Sequence, residues 1–508
     1  MNLVDLLVPP TASTPGAAAL LYGEATVSHG ELADRAARLA AGLLDEGIDP
    51  GDRVAIAGTN DPAFVTSYLG VLKAGAVAVP LNPQAPAAEL RRELADVQPR
   101  LVLCGPVAVE HLTAAIEEVT VRRVDNAGEG LDRWDPAATV HRADADVAVL
   151  LFTAGTAGAP KAAMLTHGNL AANIRQVLDH PGLTLRSEDV GLGVLPLFHV
   201  FGLNVSLGVS LAAGASVVLV DHFDAAETRT LVRNRGVTVV AAVPAMYVAW
   251  LSLPDERAPR DSFASVRLAV SGAAPLPPEV AEGLRDRFGL VVHDGYGLTE
   301  AAPVVTTTAI GTGAPRGGSI GPPLPGVEVR LVDVDGTDVL AGDPGEIWVR
   351  GPNVFAGYWR DADATARVLT DDGWLRTGDV AVVDDDGELS LVDRSKDLVI
   401  VSGFNVYPAE VEEVLLAHPD VAEAAVVGEP DPRTGEAVTA FVVAEPGRHP
   451  SADGLGAHCA RSLARYKCPA RVEVVDALPR SFAGKLLRRE LRSPERPGAG
   501  GPGIPVGE

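Results

Sequence analysis

The chain has 508 residues, 47% of them apolar and 21% charged, long enough for two or more compact units with large cores. Its formal net charge of -25 and pI near 4.8 leave no basic stripe to displace counterions from a nucleic-acid backbone, which argues against that partner class and for small molecules. Three cysteines, Cys104, Cys459 and Cys468, lack metal-ligand spacing and make no disulfide framework, which suits a reducing cytoplasm.

The N-terminus has no basic n-region and carries Asp5 inside its short apolar run, so no secretory signal is expected. Ser28-His29-Gly30-Glu31 has the form of a capping box opening a helix, with Leu32, Leu39 and Leu43 at helical spacing until Gly47. Arg53 to Ala57 reads as a strand, Ala63 to Lys73 as a helix and Ala76 to Val79 as a strand. Val147 to Phe152 is a further strand, and it runs into Thr153-Ala154-Gly155-Thr156-Ala157-Gly158-Ala159-Pro160-Lys161. Glycine admits positive φ, so a loop of this kind can aim successive amides and one ammonium at a polyphosphate. An ordinary strand-to-helix turn is the other reading. The spacing matches neither the G-x-x-x-x-G-K-[ST] loop nor the dinucleotide fingerprint.

The 31 residues from Val190 to Val220 contain no acid, lysine or arginine, but Pro196, His199, Asn204 and five glycines interrupt them. They read as strand, helix and strand of one sheet rather than as a membrane span. Alternating elements follow: strand Gly191 to Leu195, helix from Phe201, strand Ser216 to Val220, helix from Asp224, strand Val237 to Ala242, helix from Pro244, strand Arg267 to Ser271, helix Pro277 to Phe288 and strand Leu290 to His293. Repeated βαβ units imply parallel sheets covered by helices, with ligands at the carboxyl ends of the strands. From about residue 315 short strands with Asp-Gly turns at Asp335-Gly336 and Asp386-Gly387 predict a β-rich subdomain. A third region has strand Leu398 to Val401, helix Pro408 to Leu416, strands Ala424 to Val427 and Thr439 to Val443, and helix Gly454 to Ala464. Residues 493–508, rich in Pro and Gly, predict a disordered tail.

Asp294-Gly295-Tyr296-Gly297-Leu298-Thr299-Glu300 follows a strand directly. It offers an aromatic face, a hydroxyl and a carboxylate of the kind Mg²⁺ takes together with phosphate oxygens; a loop with a solvated Glu is the alternative. Gly373-Trp374-Leu375-Arg376-Thr377-Gly378-Asp379 presents a carboxylate able to accept two hydroxyl hydrogen bonds.

Together with Asp393 to Glu410 (Asp-Arg-Ser-Lys-Asp-Leu-Val-Ile-Val-Ser-Gly-Phe-Asn-Val-Tyr-Pro-Ala-Glu) and Leu478 to Arg489, these segments resemble the acyl-adenylate-forming superfamily of acyl-CoA synthetases, luciferases and non-ribosomal adenylation domains. The Ser-Gly-Phe-Asn-Val-Tyr-Pro run is most similar to bacterial long-chain fatty acid–CoA ligases, and the resemblance spans residues from about 20 to 492. It implies an α/β protein: a large N-terminal domain of parallel βαβ sheets over residues 1–394, with the β-rich subdomain about 315–394, and a small mobile α+β C-terminal domain over 395–492. It implies ATP, Mg²⁺ and CoA as cofactor and cosubstrates, with a carboxylic acid activated as its adenylate and passed to CoA. Thr153, Gly155, Thr156, Gly158 and Lys161 would hold the β- and γ-phosphates. Gly272, Ala273 and Ala274 with Asp294, Gly295, Tyr296 and Gly297 would enclose adenine. Thr299 would touch the α-phosphate, Thr153 and Glu300 would position Mg²⁺, and Asp379 and Arg394 would bind ribose. Lys485 would contact the reacting carboxylate and the α-phosphate, Lys396 would be the hinge about which the small domain swings between the two half-reactions, and Ser402, Gly403 and Phe404 would line a tunnel for pantetheine.

Ala154, Ala157 and Ala162 stand where the family usually has a serine, a threonine and a glycine. Two hydroxyls lost from phosphate contacts would cost about 1.5–3 kcal/mol each where charge-assisted, so impaired ATP binding is expected, and a non-catalytic nucleotide- or acyl-binding protein stays open. The acyl pocket is expected at His199, Phe201, Gly202, Met246 and Tyr247, where apolar linings favour an apolar acid. A fatty acid is the first expectation and an aryl acid the second, with transfer to an acyl carrier protein as the alternative to CoA. His199 reads equally as a gate or as a core histidine. Peripheral membrane contact is left open.

Overall fold

In the computed structural model the described residues are 1–8, 15–106, 119–154, 160–254, 259–309, 315–333, 336–384, 387–394, 399–406, 408–479 and 488–492, with backbone alone at 154, 392–394, 405, 409, 489 and 490. The chain divides by internal contact into a unit made of Met1–Thr153 and Pro160–Lys396 and a second unit from Asp397 onward.

Two sheets carry the first unit. One has eight strands in the order Val304–Thr307, Val292–Gly297, Leu268–Ser271, Val239–Ala242, Val190–Gly193, Ser216–Leu219, Ala18–Tyr22 and Ala25–Ser28. Its interior pairs are parallel and both of its edge pairs antiparallel. The other has six strands, ordered Val121–Arg123, Leu101–Cys104, Arg53–Ala57, Val77–Leu81, Val147–Ala154 and Pro160–Thr166.

The alternation of side chains along these strands decides what each face meets. Val217 and Leu219 enter a core shared with Val54 and Ile56 of the other sheet, while Val218 and Val220 enter a separate core with Trp250, Phe263 and Phe288. Ala55 and Ala57 face outward, toward the helix Ala87–Val97. The shared core takes Leu32, Leu39 and Leu43 of the helix His29–Asp45, Phe64, Leu69 and Leu72 of Pro62–Lys73, and Leu170 and Ile174 of His167–Asp179. These helices are the filling between two sheets, and each such leucine contributes about 1.5–3 kcal/mol of burial.

Ser28 caps its helix by accepting from the Glu31 amide, the half of the expected box that is present. The acid-free run Val190 to Val220 is strand, helix and strand of one sheet, but its helix is a π-helix, Phe201–Val209. Among the described residues no helix is long and apolar enough to cross a membrane. The β-rich subdomain is an antiparallel sheet of Glu328–Val332, Gly345–Arg350, Leu375–Val383 and Leu389–Arg394.

The second unit has a five-stranded sheet built on the long hairpin of Val421–Asp431 and Gly435–Ala444. Val411, Leu415, Leu455 and Cys459 of two helices pack on it. The later of these helices spans Ala452–Ala460, ending short of the expected Ala464, and a 3₁₀ turn Arg465–Lys467 follows. The tail, residues 493–508, lies outside the described residues.

Candidate active site

The strand Val292–Gly297 runs further than the sequence suggests, carrying Asp294, Gly295, Tyr296 and Gly297 to the carboxyl end of the large sheet. Gly297 is dictated by packing, because a Cβ there would overlap the Pro303 carbonyl oxygen. A 3₁₀ turn, Thr299–Ala301, then presents Glu300. Three buried asparagines hold this turn by its carbonyls: Asn353 Nδ2 donates to Ala301 O, Asn204 Nδ2 to Ala302 O and Asn173 Nδ2 to Val304 O, each at 2.8 Å. A buried carbonyl left unpaired is costly, so these amides fix the turn as well as satisfying it.

Glu300 is gripped twice from the segment 355–358. Its carbonyl accepts from the Phe355 amide at 2.9 Å, and its Oε1 accepts from the Tyr358 hydroxyl at 2.7 Å. The same segment is stapled to the strand Pro160–Thr166 by three backbone hydrogen bonds, Met164 N to Gly357 O, Ala356 N to Met164 O and Trp359 N to Ala162 O. The second residue of that strand is Lys161, whose Nζ lies 2.6 Å from Asp361 Oδ2 and 5.7 Å from the centre of the Tyr358 ring. Across the start of the glycine-rich loop, Thr153 Oγ1 donates to the Lys161 carbonyl at 3.4 Å. Lys161, Tyr358, Glu300 and Thr153 are therefore neighbours, whereas Gly155, Thr156 and Gly158 lie outside the described residues.

Tyr296 is buried and donates to Asp379 Oδ2 at 2.8 Å, which joins two of the expected nucleotide residues from different sheets. Asp379 pairs in register with Arg394, whose backbone alone is described. Asp294 sits opposite Ser271 in the sheet, and burial pushes its carboxyl up to about 7 against one hydrogen bond from the Leu276 amide. After Ser271 the chain turns through Gly272 and Ala273, the latter at φ 70, toward Ala274. A Cβ on Gly272 would come within 2.9 Å of the Phe201 ring.

Phe201 and Met246 share an apolar cluster with Leu195, Ala241 and Val243. Gly202 lets the π-helix start close to the preceding loop, since a Cβ there would overlap the Leu195 and Pro196 carbonyls. His199 packs its ring on Phe198, centroids 4.9 Å apart. Tyr247, expected with the acyl pocket, is instead a core side chain: fully buried, edge-on to Trp250, with its hydroxyl donating to Val270 O at 3.0 Å. One residue along a helix turns a side chain by about 100°, which separates it from Met246.

In the second unit Ser402 and Gly403 form the tight turn between Val399–Val401 and Phe404–Val406, both at positive φ, as a two-residue hairpin requires. Phe404 stacks on Tyr466 with ring centres 4.4 Å apart. Lys396 and Lys485 lie outside the described residues.

Tyr358, Asp361, Tyr466 and the asparagines 173, 204 and 353 were not picked out by the sequence. Isolated polar residues far along the chain from their partners carry no local signal.

A model described as "AMP-binding enzyme" matches residues 10–359, and one described as "AMP-binding enzyme C-terminal domain" matches residues 410–485. A feruloyl-CoA synthase of Amycolatopsis is 41% identical over 94% of this chain and 96% of its own. A long-chain-fatty-acid–CoA ligase of Bacillus subtilis is 34% identical over 97% and 94%. Among solved structures, a double mutant of o-succinylbenzoate CoA synthetase from Bacillus subtilis, bound with a product analogue, is 30% identical over 96% of this chain and 98% of its own, with a TM-score of 0.83.

Proposed function

The chain belongs to the AMP-binding enzymes, and on that premise we propose that it is an ATP-dependent acid–CoA ligase for an apolar monocarboxylate. The observation that carries this reading is the constellation at one end of the first unit: Lys161, Glu300 joined to Tyr358, and Tyr296 joined to Asp379.

In the first step a carboxylate oxygen of the acid bonds to the α-phosphorus of ATP, the bond to pyrophosphate breaks, and an acyl-adenylate remains. Catalysis of such a step is largely positioning and charge neutralisation. Lys161 and Thr153 are assigned to the departing phosphates, Tyr296 to the adenine, Asp379 with Arg394 to the ribose and Thr299 to the α-phosphate. A magnesium ion takes few protein ligands and completes its shell with phosphate oxygens and water. Glu300, one oxygen of which is held by Tyr358, with the Thr153 hydroxyl is a donor set of that kind. The ion, when bound, neutralises charge on the phosphates. Lys485 is assigned to the reacting carboxylate and Lys396 to the hinge.

In the second step the sulfur of CoA bonds to the acyl carbon, AMP leaves, and the thiol proton is lost. The Ser402-Gly403 turn with Phe404 is assigned to the pantetheine arm.

For the acid, Leu195, Phe201, Ala241, Val243 and Met246 pack into one apolar cluster, and an apolar lining suits either a fatty or an aryl acid. The greater identity to a feruloyl-CoA synthase, 41% against 34% for a fatty-acid ligase, favours an aryl-propenoic acid, with the fatty acid as the second reading. Pyrophosphate release should be followed with MgATP against hydroxycinnamic, benzoic, and short, medium and long fatty acids, with and without CoA. Turnover that needs CoA and is fastest with a hydroxycinnamic acid supports the reading. Turnover restricted to fatty acids replaces the aryl assignment, and no release with any acid overturns the ligase.

A further inference from the structure

Lys161 already has an anion. Its ammonium lies 2.6 Å from Asp361 Oδ2, with the lysine side chain 14% and the aspartate 36% exposed. The other carboxylate oxygen, Oδ1, is engaged separately, accepting from the Ala364 amide at 2.8 Å as the N-cap of the helix Ala362–Val368. The cap keeps the carboxylate in place whether or not Oδ2 is paired with the lysine. The backbones on both sides are fixed to each other by the bonds between Ala162, Met164 and the segment 356–359, so the two charges face one another by construction. The lysine and the cap amide together hold the Asp361 carboxyl below the usual carboxylate range, which keeps it ionised.

We propose that Asp361 is a built-in competitor for phosphate at Lys161, a carboxylate that occupies the ammonium until a triphosphate displaces it. The proposal rests on the reading that Lys161 binds the phosphates of ATP. A partly exposed ion pair is weak, so a multiply charged phosphate can replace it; an ammonium has three donors and no acceptor, and one of them now points at a carboxylate that would repel the incoming anion. The pair thus orients the lysine in the free protein while subtracting from affinity for ATP.

The test measures MgATP and inorganic pyrophosphate binding by titration calorimetry for the full chain, Asp361→Asn, Asp361→Ser, Lys161→Ala and the double variant Lys161→Ala/Asp361→Asn. Asn and Ser are as good N-caps as Asp, so the helix keeps its start, and the melting temperature reports on folding. Both neutral variants should bind MgATP about two- to fivefold more tightly, and the change should vanish when Lys161 is alanine. Unchanged or weaker binding in either folded neutral variant overturns the proposal, weaker binding meaning that Asp361 holds Lys161 in its binding pose. A wild-type chain that binds neither probe removes the assignment of Lys161 itself.

Discussion

Tyr358 donates its phenolic hydrogen to Oε1 of Glu300 at 2.7 Å across 58 residues of sequence. The bond joins a residue of the segment stapled beside Lys161 to the only carboxylate of the Thr299–Ala301 turn. Hydrogen bonds to charged groups are worth about 1.5–3 kcal/mol, and Phe355 packs edge-on to the same ring. Tyr358→Phe keeps the ring and loses the bond. We expect pyrophosphate release to fall about tenfold or more, with a higher Mg²⁺ concentration needed for half-maximal rate and little change in melting temperature; an unaltered Mg²⁺ requirement would separate Tyr358 from Glu300's role.

Asn204 is a fully enclosed amide joining Ala302 O to the helix His167–Asp179 through Leu170 O. Asn204→Leu leaves the Ala302 carbonyl without its side-chain donor in the core, while Leu170 O keeps its bond within the helix. Such a change costs about 1–3 kcal/mol, to be read as a lower urea midpoint at constant slope, and it loosens the turn that presents Glu300.

Gly272 stands against Phe201, and a methyl there has 2.9 Å to the ring. Gly272→Ala should lower kcat/KM for the acid substrate more than it alters KM for MgATP. Trimming the obstruction with Phe201→Ala in the same chain should recover part of the loss. If the double variant is no better than Gly272→Ala alone, the loss does not run through the Phe201 ring.

His167 is buried, its Nδ1 accepts from the Leu3 amide at 3.0 Å, and burial pushes its pKa down from 6.5 to about 4. Between those values the unfolded chain takes up a proton that the folded chain does not, so this group makes stability fall as pH drops from about 6.5 to 4 and contributes nothing to the slope above. Chemical denaturation at pH 7.5, 6, 5 and 4 should show a shallower decline for His167→Gln than for the wild type, against a lower overall stability. Parallel declines would assign the acid lability to other groups.

Much of the fold was legible because the sheets are buried on both faces. Strands such as Arg53–Ala57 and helices such as Pro62–Lys73 follow from apolar runs bounded by turn residues, and the observed limits differ from the expected ones by a residue or two. The strand Pro160–Thr166 was not legible. Its Lys-Ala-Ala-Met-Leu run favours helix, and pairing with the strand Val147–Ala154 on one side and with residues 356–359 on the other holds it extended, a case of tertiary contact overriding propensity. The hairpin of the second unit is longer than expected because Glu423, Glu429, Pro430 and Glu436 break the apolar run without breaking the ladder. Tyr247 was expected with Met246 in the apolar lining of the acyl pocket, and the turn of the helix sends it to the core instead.

The motifs singled out Tyr296, Glu300, Asp379 and Lys161 as candidates, but the bonds among them and to Tyr358 and Asp361 depend on contacts far apart in the chain. No window of sequence contains both partners.

The backbone staple between Ala162, Met164 and residues 356–359 also says which parts of this protein can drift. Peptide groups bond alike whatever side chains they carry, so the far end of the glycine-rich loop is anchored independently of the residues within it. Ala154, Ala157 and Ala162, departures from the common pattern, could accumulate without dislodging Lys161. For anyone redesigning the enzyme, this makes the loop a place to vary: serine and threonine can be written back at 154 and 157 one at a time, and each gain in nucleotide affinity read against an unmoved lysine.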